Sequence, residues 1–175
     1  MTSQPKSPPS DVFQAPKRHI YNESHIHRQM TLAANILAPQ FVYLRIENSS
    51  YTGAPDAFAL TKRSIIPLEA KVRKGHQIKV PRFQYMRMSE FVAYDINYYY
   101  LVLEPKEQLI ECFAAVNVKD NAKEKNDHTL INLSKSYPIF SVVYGKPREL
   151  GTAFLTHCYS MPNNLIQRGN KDADS

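Results

Sequence analysis

The chain has 175 residues, and its 22 Lys and Arg outnumber 16 Asp and Glu, which gives a formal net charge of +6. A hydrophobic fraction of 43% can supply a sizeable core, which argues against a globally disordered chain. The basic surplus favours an anionic partner such as nucleic acid, an acidic membrane surface or an acidic protein. The alternative is a protein that merely carries excess surface lysine.

The composition predicts one domain between two tails. Residues 1–18 are rich in proline and serine, which predicts a disordered arm. Residues 19–162 are predicted to form a single β-rich domain, and residues 163–175 a flexible C-terminal tail. The first residues lack the apolar region of a signal peptide, and no run of about 18 apolar residues is present. We therefore expect a cytoplasmic protein that is not secreted and has no transmembrane segment.

The first predicted element is a helix over residues 24–37, ended by Pro39. Its apolar stripe has helical spacing and consists of Ile26, Met30, Ala33 and Leu37. Alternating apolar residues then predict a strand over residues 41–47 and a short strand or turn over residues 57–60.

Strands dominate the rest of the prediction. Residues 64–72 and 77–80 are predicted to pair as a hairpin, with residues 82–90 left ambiguous or forming a helical turn. Two long strands are predicted within residues 91–118, around a short polar break. Further strands are predicted over residues 129–133, 139–144 and 150–159. The predicted fold is mainly β, an antiparallel sandwich or partly open barrel with one N-terminal helix and disordered termini.

Basic charge is concentrated in one segment, in which Glu69 is the single acid. The basic residues are Lys62, Arg63, Lys71, Arg73, Lys74, Lys79, Arg82 and Arg87. On the predicted hairpin, Lys71, Arg73 and Lys79 share one strand face, opposite an apolar face. Such a ribbon can lie along phosphates or lipid headgroups. The alternative is a solvated sheet edge, where lysine discourages aggregation.

Two further features lie on the predicted long strands. Tyr98 and Tyr100 are expected to pack within the sheet, whereas Tyr99 points to the other side and is the candidate contact for self-association. Cys112 shares its parity with apolar neighbours and is predicted to be buried and chemically quiet.

No catalytic, metal-binding or cofactor-binding pattern stands out, so we predict no catalytic residue, no metal, no cofactor and no enzymatic activity. The histidines His19, His25 and His27 lack further ligands nearby. His157 and Cys158 are adjacent on a predicted strand and would point to opposite faces. An enzyme is the alternative if the fold has a deep pocket with convergent polar groups.

The overall layout resembles the matrix proteins of plant-infecting rhabdoviruses, which are similar in length, basic and unsignalled, with a proline-bearing arm before one compact domain. The proline–tyrosine motif of some animal-virus matrix proteins is absent, since Pro8-Pro9 is followed by Ser10-Asp11. The resemblance implies a non-enzymatic, virion-associated structural protein that self-associates and bridges a nucleocapsid and a membrane. The expected partners are a second copy of the chain, nucleic acid or nucleoprotein, and an anionic membrane surface. The alternative is an RNA-binding module such as a viral coat protein, silencing suppressor or movement protein.

Overall fold

The computed structural model describes residues 21–46 and 53–161, where the chain forms two β-sheets with helices packed on them. The predicted arm (residues 1–18) and tail (residues 163–175) lie outside these ranges. The prediction of a mainly β sandwich or barrel is wrong, because the described fold is mixed α/β and contains no closed barrel.

Nine strands occur in the described ranges. They are β1 (Phe41–Arg45), β2 (Ala57–Thr61), β3 (Ile65–Val72), β4 (Gln77–Pro81), β5 (Tyr99–Glu104), β6 (Leu109–Ala114), β7 (Ala122–Glu124), β8 (His128–Asn132) and β9 (Phe140–Val143). The large sheet has the order β1-β2-β3-β5-β6-β9, and the small sheet has the order β4-β8-β7. Strands β3 and β5 run parallel, whereas the other paired strands are antiparallel.

The α-helices of the described chain are α1 (Glu23–Leu37), α2 (Arg82–Ala93), α3 (Ala115–Val118) and α4 (Pro147–Ser160). Helices α1 and α4 pack together over one face of the large sheet, and α2 and the small sheet cover its central strands from the other side. Strand β5 is therefore buried on both faces. Leu101 packs into the first core and Val102 into the second, as expected for a strand between two layers. No helix in the described ranges is long and apolar enough to cross a membrane.

The predicted hairpin is confirmed only at its bend, where Lys74 and Gln77 form an antiparallel bridge, because its two strands belong to different sheets. Strand β3 lies in the middle of the large sheet, between β2 and β5, whereas β4 pairs with β8 in the small sheet. Residues 66–71 are all buried, so both faces of β3 are covered. Continuous burial is typical of a central strand and differs from the alternation of an edge hairpin.

The first predicted long strand is wrong over its N-terminal half. Helix α2 continues to Ala93, and the chain turns at Asp95, whose φ of 56° lies in the left-handed region. The backbone N–H of Ile96 then donates to the carbonyl of Phe91, which closes the end of the helix. The alternation that predicted a strand is incidental, since Tyr94 is exposed.

The predicted strand over residues 150–159 is also wrong, because this segment belongs to α4. The buried side chains of α4 recur at helical spacing and include Leu150, Phe154, Leu155 and Cys158. Pro147 occupies the first turn, where its missing N–H carries no penalty. The helix over residues 24–37 and the strands near residues 41–47, 129–133 and 139–144 are confirmed within a few residues.

The contact between α1 and α4 depends on Gly151. A Cβ atom at this position would lie 2.6 Å from Leu37 Cδ1 and 3.0 Å from Ala33 Cβ. We expect Gly151→Val to lower the free energy of unfolding by about 1–3 kcal/mol, because the added methyl groups force the helices apart. Urea denaturation measures the change, with Thr152→Val at an exposed neighbouring position as control. Equal unfolding midpoints for the two variants would show that the helices can adjust without cost.

Candidate functional site

A cluster of charged side chains interrupts the interior beside β3. Glu69 and Lys71 lie on the same strand face, where Glu69 is fully buried and Lys71 is 4% exposed. Asp56 immediately precedes β2. Because Ala57 of β2 pairs with Leu68 of β3, Asp56 lies beside the part of β3 that carries Glu69 and Lys71. Buried charges are costly unless they are paired, so their presence on an otherwise apolar strand calls for a functional explanation.

Three carboxylates from three parts of the fold surround the ammonium group of Lys71. Its Nζ atom lies 2.9 Å from Glu69 Oε1, 3.5 Å from Glu23 Oε1 and 3.7 Å from Asp56 Oδ2. The same ammonium donates to Gln84 Oε1 at 3.2 Å. Helices α1 and α2 thus each contribute one side chain to a cluster that is built on β2 and β3.

The two inner carboxylates are held by further hydrogen bonds. The backbone N–H of Ala70 donates to Asp56 Oδ2 at 3.0 Å, and Gln84 Nε2 donates to Asp56 Oδ1 at 3.3 Å. The buried hydroxyl of Tyr98 donates to Glu69 Oε2 at 2.8 Å. These bonds fix the orientation of both carboxylates, which is what a preorganised site requires.

The cluster perturbs the titration of its members. Burial raises the pKa of Glu69 to about 7, against the opposing effect of Lys71. Burial lowers the pKa of Lys71, but the carboxylates of Glu69, Asp56 and Glu23 raise it by more, and the net shift is upward. Lys71 is therefore a cation at neutral pH, while Glu69 gains or loses its proton near neutrality. Perturbed groups of this kind concentrate at functional sites.

A cleft of about 690 Å³ opens at the cluster. Glu23, Asp56, Lys71 and Gln84 line its polar end, and Lys74 and Lys79 line the wall that belongs to β4 and the turn before it. A second recess of about 300 Å³ also borders Glu23 and Asp56. The alternative of an enzyme required a deep pocket with convergent polar groups, and this cleft supplies the convergent polar groups.

The basic residues predicted to act together are dispersed. Lys62 and Arg63 lie in the turn between β2 and β3, at the end of β3 remote from Lys71, and Arg63 donates to the carbonyl of Tyr159 at 3.0 Å. Arg87 pairs with Glu90 on α2.

The predicted common face of Lys71, Arg73 and Lys79 is wrong, because the three residues do not share a ladder. Lys71 is buried, and Arg73 is paired with Glu104 and Glu111 across β5 and β6. The structure brings Lys71, Lys74 and Lys79 to one cleft, and it leaves Arg82 exposed at the start of α2.

Tyr99 is buried, so its predicted exposure is wrong. Its hydroxyl lies 3.0 Å from His157 Nε2 and 2.8 Å from Met161 Sδ, inside the fold. Tyr99 is therefore withdrawn as a self-association contact, and a second copy of the chain as partner stays a prediction. The predicted burial of Cys112 is confirmed, and burial raises the pKa of its thiol.

Asp56, Glu69 and Gln84 were not predicted as site residues from the sequence, and Lys71 was assigned to a surface ribbon. The segment from Ile65 to Val72 (IIPLEAKV) carried the signal. Glu and Lys share one parity of a strand that is otherwise apolar on both parities, so this strand must bury them together.

A divalent cation fits the chemistry of this cluster. No group of three or more His, Cys, Asp or Glu side chains in the described ranges forms a ready-made metal cage. Mg²⁺, however, usually takes only one or two protein carboxylates and completes its shell with water and substrate phosphate. Asp56 and Glu69 supply that number of carboxylates, and an oxygen of each lies within 3.7 Å of one point, the Nζ atom of Lys71.

Comparison with known proteins finds no matching family model and no matching curated protein. Among solved structures, the chain is similar to Hjc, a Holliday junction resolvase from Archaeoglobus fulgidus. The identity is 14%, the TM-score is 0.47, and the match covers 63% of this chain and 88% of that chain.

The fold and the cleft correct several predictions. The resemblance to a rhabdovirus matrix protein is wrong, since it came with a mainly β domain and the described fold is mixed α/β. The structural, membrane-bridging and virion assignments that followed from it are withdrawn. The prediction of a non-enzymatic protein is withdrawn as well, because it assumed that no polar groups converge, whereas Glu23, Asp56, Lys71 and Gln84 meet at one cleft.

Proposed function

We propose that the protein is an enzyme that hydrolyses phosphodiester bonds in nucleic acid with the help of a divalent cation. One observation carries the proposal: Asp56, Glu69 and Lys71 converge at a cleft that also has Lys74 and Lys79 on its wall. Carboxylates suit a metal ion, and a lysine suits a phosphate. The surplus of basic residues over acidic ones in the chain is consistent with a polyanionic substrate.

Asp56 and Glu69 would hold the cation, and Glu23 is near enough to the same ammonium group to assist them. When bound, a divalent ion polarises a phosphoryl oxygen and lowers the pKa of a water molecule. The fold positions the two carboxylates for this purpose through Ala70, Gln84 and Tyr98, as described above.

Lys71 supplies positive charge where the phosphate gains negative charge. Because the surrounding carboxylates raise the pKa of Lys71 despite its burial, its ammonium stays charged over the working pH range and acts electrostatically. Gln84 accepts a hydrogen bond from Lys71 and donates one to Asp56, so it couples the position of the lysine to that of the carboxylate.

The test is a cleavage assay on duplex DNA, single-stranded DNA and RNA with the purified protein. We expect products with Mg²⁺ or Mn²⁺ and none after chelation, because the carboxylates need a divalent ion to act on a phosphate. The Asp56→Asn protein, purified in parallel, controls for a contaminating nuclease. Absence of cleavage of all three substrates with either metal would contradict the proposal.

The pH dependence of cleavage should report the ionisation of Glu69. Its carboxylate must be ionised to bind a cation, so activity should fall as the pH decreases through about 7. Tyr98→Phe removes a hydrogen bond that lowers the pKa of Glu69, and the acid limb should move to higher pH by up to about one unit. The charged groups that act on Glu69, which are Lys71 and Asp56, stay unchanged in both proteins.

The matched control for this shift is Tyr85→Phe. The hydroxyl of Tyr85 donates to the carbonyl of Lys119 and does not contact Glu69. The pH profile of cleavage by the Tyr85→Phe protein should superimpose on that of the unmodified protein. Identical profiles for all three proteins would mean that Glu69 does not titrate in the observed step.

A further inference from the structure

The small sheet has an apolar face and a basic face. Its inner face is fully buried in the second core and carries Ile78, Val80 and Ile131. Strand alternation turns Lys79 and Leu130 to the opposite face. The register aligns Lys79 on β4 with Leu130 on β8 and Lys123 on β7, so two lysines flank one apolar residue in a row across the sheet.

This row continues the cleft. Lys74, Lys79 and Leu130 line the same cleft as Asp56 and Lys71, and Lys123 lies one strand beyond. Neighbouring strands are about 4.8 Å apart, so the row from β4 to β7 spans roughly 10 Å. Measured along the helix axis, one strand of duplex DNA presents about three phosphates over that distance.

Lys79 and Lys123 of the row, and Lys74 beside it, are weakly compensated by acidic side chains. Lys79 Nζ lies 3.9 Å from Asp127 Oδ2, and both side chains are more than half exposed, so the pair contributes little. Lys74 and Lys123 are also exposed. Lys71 and Arg73, which were predicted to lie on the same ribbon, differ from these exposed lysines because each is paired with carboxylates inside the fold.

We propose that Lys74, Lys79 and Lys123 form a rail that holds the phosphate backbone of the nucleic acid next to the site. The inference rests on the proposed function, because it assigns a path to the substrate of that function. Contacts to phosphate position a nucleic acid without reading its sequence. The rail therefore binds single and double strands of any sequence, and it orients the backbone so that one phosphate reaches Lys71.

The experiment measures binding by fluorescence anisotropy in the Asp56→Asn background, with short duplex and single-stranded DNA. The rail variant carries Lys74→Glu, Lys79→Glu and Lys123→Glu. The control variant carries the same change of charge away from the cleft, with Lys62→Glu, Lys146→Glu and Arg148→Glu. A second rail variant with glutamine at the three positions covers the case in which the glutamate variant fails to fold.

We expect the rail variant to bind both DNAs at least about tenfold more weakly. The slope of log affinity against log salt should fall by roughly 2–3, at about 0.9 for each lost phosphate contact with the duplex and about 0.7 with the single strand. The control variant should keep the salt slope. Equal weakening in rail and control variants would overturn the rail in favour of net charge alone. Unchanged binding in the rail variant, or no binding before substitution, would also overturn it.

The rail and the proposed function can fail separately. Cleavage by the unmodified protein with unchanged binding in the rail variant would reject the rail and keep the enzyme. Rail-dependent binding without cleavage under any metal condition would keep the rail and reject the enzyme.

Discussion

Asp56→Asn is expected to lower the rate of phosphodiester cleavage by on the order of 10²–10³-fold. The substitution removes the negative charge that would hold the cation, yet the amide oxygen can still accept the hydrogen bond from the Ala70 N–H. The fold should therefore survive. Single-turnover kinetics with saturating protein measures the rate of the chemical step without a contribution from binding.

The control for this prediction is Glu90→Gln, which also removes one carboxylate. Glu90 is exposed on α2 and pairs with Arg87, outside the cleft. Its cleavage rate should match that of the unmodified protein. A rate for Asp56→Asn within about tenfold of the unmodified rate would place the reaction elsewhere in the molecule.

Lys71→Met is expected to lower the free energy of unfolding by about 3–5 kcal/mol at mildly alkaline pH. The substitution leaves Glu69 and Asp56 without their shared cation, and Glu69 is fully buried. Adding Glu69→Gln removes one of the unpaired charges and should restore most of the loss. Denaturant unfolding of the single and double variants completes the cycle.

The same variants carry a pH signature. The pKa of Glu69 is raised in the folded protein, so the folded state binds a proton that the unfolded state releases. That contribution is fully present below the unfolded value and is lost as the pH rises through the folded value. Lys71→Met should therefore be more stable in mild acid than at mildly alkaline pH.

The control for the loss of stability is Lys79→Met, at an exposed position. This variant should change the free energy of unfolding by less than about 0.5 kcal/mol, and an equal effect of the two variants would refute the burial argument.

Local patterns were sufficient to predict the elements whose periodicity is clear. The stripe of α1 and the alternation of β1 and β8 identified those elements within a few residues. Helix α4 was missed because its threonine, phenylalanine and tyrosine favour strands, whereas packing on α1 through Gly151 decides the outcome. The separation of β3 and β4 into different sheets depends on their partners β5 and β8, which the residues of the turn between them do not specify.

The site was only partly accessible from sequence. The pairing of Glu69 with Lys71 follows from strand parity once β3 is taken as buried on both faces. The approach of Asp56 depends on the register of β2 with β3, and Glu23 and Gln84 reach the cluster from two separate helices. The exposed lysines dominate the charge of the sequence segment. The carboxylates of the cluster are few, and they lie in separate parts of the sequence, so the charge pattern does not reveal them.

The central claim is that Asp56 and Glu69 jointly hold a divalent cation, and anomalous diffraction tests it most directly. Crystals of the protein soaked in Mn²⁺ are measured on the high-energy side of the manganese absorption edge, beside Asp56→Asn crystals treated identically. We predict an anomalous peak about 2.0–2.3 Å from carboxylate oxygens of both residues, and none in the variant. A peak that persists in the Asp56→Asn crystals, or that lies away from both carboxylates, would contradict the claim.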